Sequence, residues 1–254
     1  MSKLAAVAKY EYKMQISRPA GWGVLLFSTV TAFLDCLPTA ANMARVEFLG
    51  EIHYYVRRVF AFDGLILLFG LMFLMAGRLV GDRKTGVKDL LMAAPVHKKD
   101  YVGGKLLGNL CYTLTMMFSL LGISICGYLL CRRGTEGIGS FLHAGYSVAL
   151  YLILPASFFV TASCVMLPEI LDIRFFYLLY SILFMVNAFS VNSAEKMPFY
   201  IFTQGDLTKY IWRHPKWPQI YPGSAWLNLA FLLGTGILAV TLVAAKRSFW
   251  RVDE

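Results

Sequence analysis

Residues 78–105 read RLVGDRKTGVKDLLMAAPVHKKDYVGGK and lie between two long apolar runs. Seven of these residues are Lys or Arg, and basic loops between membrane spans stay on the cytoplasmic side. The middle of the stretch predicts a short helix. Val87, Leu90, Leu91 and Ala94 recur at i, i+3, i+4 and i+7 and make one apolar stripe. Lys84 and Lys88 stand four apart on the other side, and Pro95 ends the helix. A cytoplasmic helix with an apolar stripe, held at both ends by membrane spans, is suited to touching a partner or to resting on lipid headgroups. The pattern leaves both open.

The remainder of the chain supplies the setting. Of its 254 residues 58% are hydrophobic and 15% charged, against about 25% charged in soluble domains. The expected fold is therefore an all-α, multi-pass membrane protein. The formal net charge of +9 resides in loops beside apolar spans. It reads as a topology signal and as contact with headgroups, not as a nucleic-acid surface. Cys36, Cys111, Cys126, Cys131 and Cys164 lie in or at the ends of apolar runs without ligand spacing, so neither a disulfide framework nor a metal site is expected. No signal peptide is expected.

A spanning helix needs about 20 mainly apolar residues, because no water satisfies an open backbone in the bilayer core. Six windows qualify: 20–43, 59–77, 106–130, 141–167, 175–194 and 223–245. Only the first two contain a charge, Asp35 and Asp63. Pro155 predicts a kink in the fourth. Of the 24 Lys and Arg, fifteen fall on segments that share a side with the N-terminus and nine on the others. That bias places both termini in the cytoplasm of a single transmembrane domain covering 1–254. Residues 1–18 are expected to form an interfacial lead-in helix, although their polar and apolar positions do not separate around a helical wheel. The pairs Gly77/Gly81 and Gly104/Gly108 predict close approach at the inner ends of spans two and three.

Intramembrane acids are functional candidates by default, so Asp35 and Asp63 are candidates for a translocation path, with solvated helix ends as the competing reading. The outer segment 195–222 holds seven aromatic residues, Phe199 and Tyr210 among them, together with four prolines. It is expected either to dip back into the membrane as re-entrant helices or to anchor in the aromatic belt. Phe199 and Tyr210 are the candidate outer gate. Gly103-Gly104-Lys105 fails as a phosphate-binding loop, since Lys99 and Leu106 stand where Gly and Ser or Thr are required. The four histidines show no i, i+4 pairing, and no nucleophile elbow occurs. The residues give no catalytic set, and an enzyme is not expected.

The run Asp82-Arg83-Lys84-Thr85-Gly86-Val87, then Leu90-Leu91, Ala94-Pro95-Val96, Tyr101 and Gly104-Lys105 resembles the inner-loop signature of type-2 ATP-binding cassette (ABC) exporter permeases. The resemblance extends to the layout of the whole chain: a lead-in helix, six spans, a basic loop after span two and a membrane-dipping segment before span six. Asp82 stands where that family more often has Glu, and Val87 where Thr is common. The resemblance implies that this chain pairs with a second permease, identical or not, in the cell membrane. It also implies a cytoplasmic coupling helix between spans two and three that docks on a separate ATPase subunit, which binds ATP and Mg; this chain itself needs no cofactor. Asp82, Arg83, Lys84, Gly86, Val87, Lys88, Leu90, Leu91 and Pro95 would form the ATPase-binding surface. An amphipathic peptide, a lipid or a hydrophobic drug would be the cargo. The alternative class is an ion-coupled carrier or channel that works without an ATPase.

Overall fold

The computed structural model of the chain describes residues 2–87, 97–131, 137–190, 200–202 and 222–246. The described residues form helices and no strand. Four helical runs, Ile52–Lys84, Lys98–Cys131, Ile138–Glu169 and Ala225–Ala245, have the length and apolarity to cross a bilayer, the mark of a multi-pass membrane protein. Two further apolar windows give shorter helices, α2 (Pro19–Asp35) and α10 (Ile173–Ser190). At 1.5 Å per residue, the 17 residues of α2 reach about 26 Å, a little less than a hydrocarbon core of about 30 Å.

The first window differs most from expectation, because 20–43 is not one helix. The chain leaves α2 at Cys36 and passes Pro38, which cannot continue a helix. Thr39 then caps a separate short helix, α3 (Ala40–Arg45), by accepting the Asn42 N–H at 3.3 Å. The second span starts earlier than its window, with α4 (Ile52–Val59). Ile52, Tyr55, Val56 and Val59 are all fully buried, and their i, i+3, i+4, i+7 spacing leaves Arg57 and Arg58 on other faces. A π-helical turn, Phe60–Gly64, joins α4 to α5 (Leu65–Met75).

After α5, Ala76 is extended and Gly77 takes φ +76°, a left-handed conformation that only glycine adopts freely. Helix α6 (Arg78–Lys84) follows. Helix α7 (Lys98–Cys131) runs as one 34-residue piece. In the fourth span, α8 (Ile138–Val148) passes through a second π-helical turn, Ala149–Ile153, into α9 (Leu154–Met166). Pro155 lies just after that turn, where a wider winding relieves the ring's clash with the preceding carbonyl. Asp172 caps α10, its carboxylate accepting the Arg174 N–H at 2.8 Å. Helix α11 (Pro222–Ala245) closes the bundle against α9.

Helix α1 (Lys3–Ile16) packs lengthwise on α7. Its fully buried residues are Glu11 and Gln15, beside partly buried Val7, Tyr12 and Ile16, so the face it hides mixes polar and apolar side chains and no clean apolar stripe is visible in its sequence. The glycine pair in α7 serves this contact and not the approach of spans two and three. A Cβ on Gly104 would stand 2.6 Å from the Val7 Cβ, and one on Gly108 would stand 2.6 Å from the Ala8 carbonyl oxygen. Gly81, by contrast, faces open space, and Gly77 is required for its backbone angle. Large apolar side chains such as Leu26, Leu130, Leu178, Phe189 and Leu238 project outward, a surface suited to lipid.

Two alanine substitutions in these glycine pairs should therefore act in opposite directions. Gly108→Ala should destabilise the protein by about 1–3 kcal/mol through overpacking against backbone. Gly81→Ala should stabilise it by about 0.5–1 kcal/mol. Thermal unfolding in detergent checks both, and equal effects would remove the α1–α7 packing argument.

Candidate functional site

The flanks of the basic stretch 78–105 meet α1 in a largely buried polar cluster. Glu11 lies on α1, Arg78 and Asp82 on α6, and Tyr101, Lys105 and Asn109 on α7. Lys105 Nζ stands 2.5 Å from Glu11 Oε2 and 2.7 Å from Asp82 Oδ2. Arg78 Nε donates to Glu11 Oε1 at 2.8 Å, and Asn109 Nδ2 donates to the same oxygen at 3.2 Å. The Tyr101 hydroxyl donates to Asp82 Oδ2 at 2.6 Å. Gln15 Nε2 donates to Asn109 Oδ1 at 2.9 Å and extends the cluster along α1.

Two carboxylates thus face two cations, and the quartet is neutral. Each carboxylate also accepts a hydrogen bond from an uncharged neighbour, which a buried ion pair needs to offset its desolvation. Burial alone would raise the Glu11 carboxyl. The Arg78 hydrogen bond and the Lys105 charge outweigh burial and hold it below the ordinary 4.5.

A second set of contacts joins the same end of the bundle. Arg83 Nη1 pairs with Glu169 Oε1 at 3.1 Å. Lys246 Nζ donates to the Glu169 carbonyl at 2.8 Å, and Lys98 Nζ donates to the Lys246 carbonyl at 2.8 Å. Helix α6, the start of α7, the end of the fourth span and the end of α11 therefore converge on one end of the molecule.

Of the residues assigned to partner binding, Asp82 and Arg83 are engaged inside the chain. Lys84 and Val87 are exposed. Gly86 takes φ +71° and turns the backbone at the end of α6. Lys88, Leu90, Leu91 and Pro95 lie outside the described residues, as do Phe199 and Tyr210. Asp35 is exposed at the end of α2 and pairs with Arg45 at 3.8 Å. Asp63, on which a solvated helix end was one reading, is buried at 3% exposure in the π-helical turn of the second span. Within the outer segment Tyr200, Ile201 and Phe202 are described and buried. The Ile201 N–H donates to Asn187 Oδ1 at 2.6 Å, and Asn228 Nδ2 donates to the Tyr200 carbonyl at 3.0 Å.

Sequence reasoning missed Glu11, Gln15, Arg78 and Asn109. A signal was present, since Glu11 and Gln15 are four apart, as are Lys105 and Asn109. Two polar ladders of helical spacing fit one another across a contact. Comparison with protein-family models, curated proteins and solved structures gives no match, so the functional reading rests on the chain's own residues.

The quartet has a stability signature. Glu11→Gln leaves buried cations without their shared anion and should cost about 3–5 kcal/mol. Because the folded carboxyl is held low, its contribution is complete above 4.5 and is lost as pH falls through the folded value. Wild-type protein should lose stability on acidification below that point, and Glu11→Gln should lose less. Chemical denaturation across an acid pH series measures both, and parallel curves would contradict the assignment.

Proposed function

We propose that the chain is the permease subunit of an ATP-driven type-2 ABC exporter. In this reading it has six spans, with both termini in the cytoplasm, and sits in the cell membrane as half of a homo- or heterodimer. Separate ATPase subunits bind ATP and Mg. The observation that carries the reading is the closure across the signature segment. Asp82, near its start, is bonded to Tyr101 and Lys105, at its end, over 2.6 and 2.7 Å. A loop closed at its base delivers any push on its tip to α6 and α7 together. The Gly77 break lets α6 turn without bending α5, and Lys105 carries the displacement onward to α1 through Glu11.

Other features support the same reading. The sequence offers no phosphate-binding loop of its own. The exposed Lys84 and Val87 lead into the segment that holds Leu90 and Leu91, the side chains proposed to fill an ATPase groove. The burial of Tyr200, Ile201 and Phe202 against α10 and α11 favours an outer segment that returns into the bundle, with Phe199 and Tyr210 at the proposed gate. The apolar surfaces suit an amphipathic peptide, a lipid or a hydrophobic drug as cargo. A second reading, an ion-coupled carrier without an ATPase, is favoured by one observation, the burial of Asp63 within a span.

Purification separates the two readings. The chain alone should hydrolyse no ATP, and ATPase subunits should co-purify with it from its native membrane. Leu91→Asp, which forces a carboxylate into an apolar groove at a cost of several kcal/mol, should abolish that association and leave membrane insertion intact. Transport by the pure chain under an ion gradient, with no ATPase present, would contradict the exporter reading.

A further inference from the structure

The fourth span holds α7 on one side and α11 on the other. The Thr161 hydroxyl donates to that of Thr113 at 3.0 Å and ties α9 to α7. The Phe158 ring packs on Gly236, where a Cβ would stand 2.8 Å from it, and ties α9 to α11. Between these two contacts lies a cavity of about 470 Å³. Leu110 and Leu114 of α7 form one wall and Leu233 of α11 the other, with Leu154 and Phe158 in the floor. Among the described residues no charged side chain lines it, and Leu154 and Leu233 stand exposed at its rim. Two helices fixed to a common floor keep this gap between them.

The same three elements meet again at the basic end. Lys98 opens α7, Glu169 ends the fourth span and Lys246 follows α11. Lys98 Nζ donates to the Lys246 carbonyl, and Lys246 Nζ donates to the Glu169 carbonyl, each at 2.8 Å. An ammonium carries three hydrogens, and among the described residues Lys246 makes no ion pair. The nearby carboxylate of Glu169 is taken by Arg83. Asp100, two residues after Lys98, falls on another side of α7. The foot of the seam is therefore positive. Lys98, Val102, Leu106, Leu110 and Leu114 repeat every four residues and make one ridge from that foot to the cavity. Leu110 and Leu114 lie about 18 Å and 24 Å along the helix from Lys98. One leaflet with its headgroups is about 20 Å deep, so the foot and the cavity are one lipid apart.

We propose that the seam between α7 and α11 binds one anionic phospholipid, with its phosphate on Lys98 and Lys246 and an acyl chain along the α7 ridge into the cavity. This inference rests on the multi-pass fold and is independent of the exporter reading. The foot and the cavity select different parts of the ligand. Two ammonium groups at headgroup level favour a net negative headgroup over a zwitterionic one. The cavity selects the chain through contact and not through dehydration, because a tail in a bilayer is already out of water. Left unfilled, the gap would forfeit dispersion contacts along both walls; filled, it joins α7 to α11 where no side chain does. A free phosphate would satisfy the foot alone.

Native mass spectrometry of the full chain tests the site, with the protein released from micelles doped with equal amounts of phosphatidylglycerol and phosphatidylcholine of the same chain length. The wild type should retain one phosphatidylglycerol, preferred by about fivefold for each ammonium that meets the headgroup. Lys98→Gln and Lys246→Gln should each lower that preference about fivefold, and Lys246→Arg should keep it. Lys9→Gln, which removes an exposed charge from α1, should leave it unchanged. Leu114→Trp fills the cavity and should strip the retained lipid whatever its headgroup, an effect a free-anion site would not show. The wild-type preference and the Lys246→Arg result keep the test decisive if Leu114→Trp fails to fold. Equal retention of the two lipids by the wild type, an unchanged preference in Lys246→Gln, an equal loss in Lys9→Gln, or full retention by folded Leu114→Trp would overturn the proposal.

Discussion

One ammonium group, that of Lys105, stands between two carboxylates on different helices, the buried Glu11 on α1 and the partly buried Asp82 on α6. Removing three charges from water is expensive, and mutual attraction compensates only when every partner is in place. Arg78 supplies the fourth charge, and Asn109 and Tyr101 supply the neutral hydrogen bonds. The cluster is therefore all-or-none in character. It fixes the register of α1 on α7 and of α6 on α7, and apolar packing alone would not, because greasy surfaces slide with little penalty.

The glycine stripe of α7 works with that charge. Gly104 and Gly108 admit α1 close to the backbone, which brings Glu11 within reach of Lys105 and Asn109, one residue further along in each case. The break at Gly77 serves a different purpose. It uncouples the direction of α6 from that of α5, so Arg78 and Asp82 can aim at α1 and α7 while α5 keeps its apolar face in the core. Close approach, helix break and charge quartet make the basic end a single mechanical unit.

Much of this was legible in the sequence, and the limits are instructive. Among the described residues each apolar window contains a helix, and four of the helical runs are long enough to cross a bilayer, because an apolar segment must satisfy its own backbone. Boundaries were less legible. Pro38 ends the first helix inside its window, and Arg57 and Arg58 concealed a start at Ile52 whose buried stripe is visible once those arginines are assigned to the other faces of α4. The charges at the flanks of the basic stretch, on α6 and α7, were visible as Lys, Arg and Asp residues. The internal engagement of Asp82 and Arg83 was not, because a sequence shows a charge without showing its partner. Helix α1 was hardest to read for a physical reason. Wheel analysis looks for an apolar buried face, and α1 buries Glu11 and Gln15. The burial of Asp63 was equally hidden, since the Thr31 hydroxyl that donates to it comes from another helix.

The central claim is that Glu11 and Lys105 act as parts of one neutral cluster and not as independent polar contacts. A double-mutant cycle on Glu11→Gln and Lys105→Gln, read by reversible unfolding in detergent, tests it most directly. The account predicts that the double variant loses clearly less stability than the two single variants together, with a coupling of about 0.5–3 kcal/mol, because removing both charges leaves one cation, Arg78, and one anion, Asp82, so the cluster stays neutral. Additive losses would contradict it.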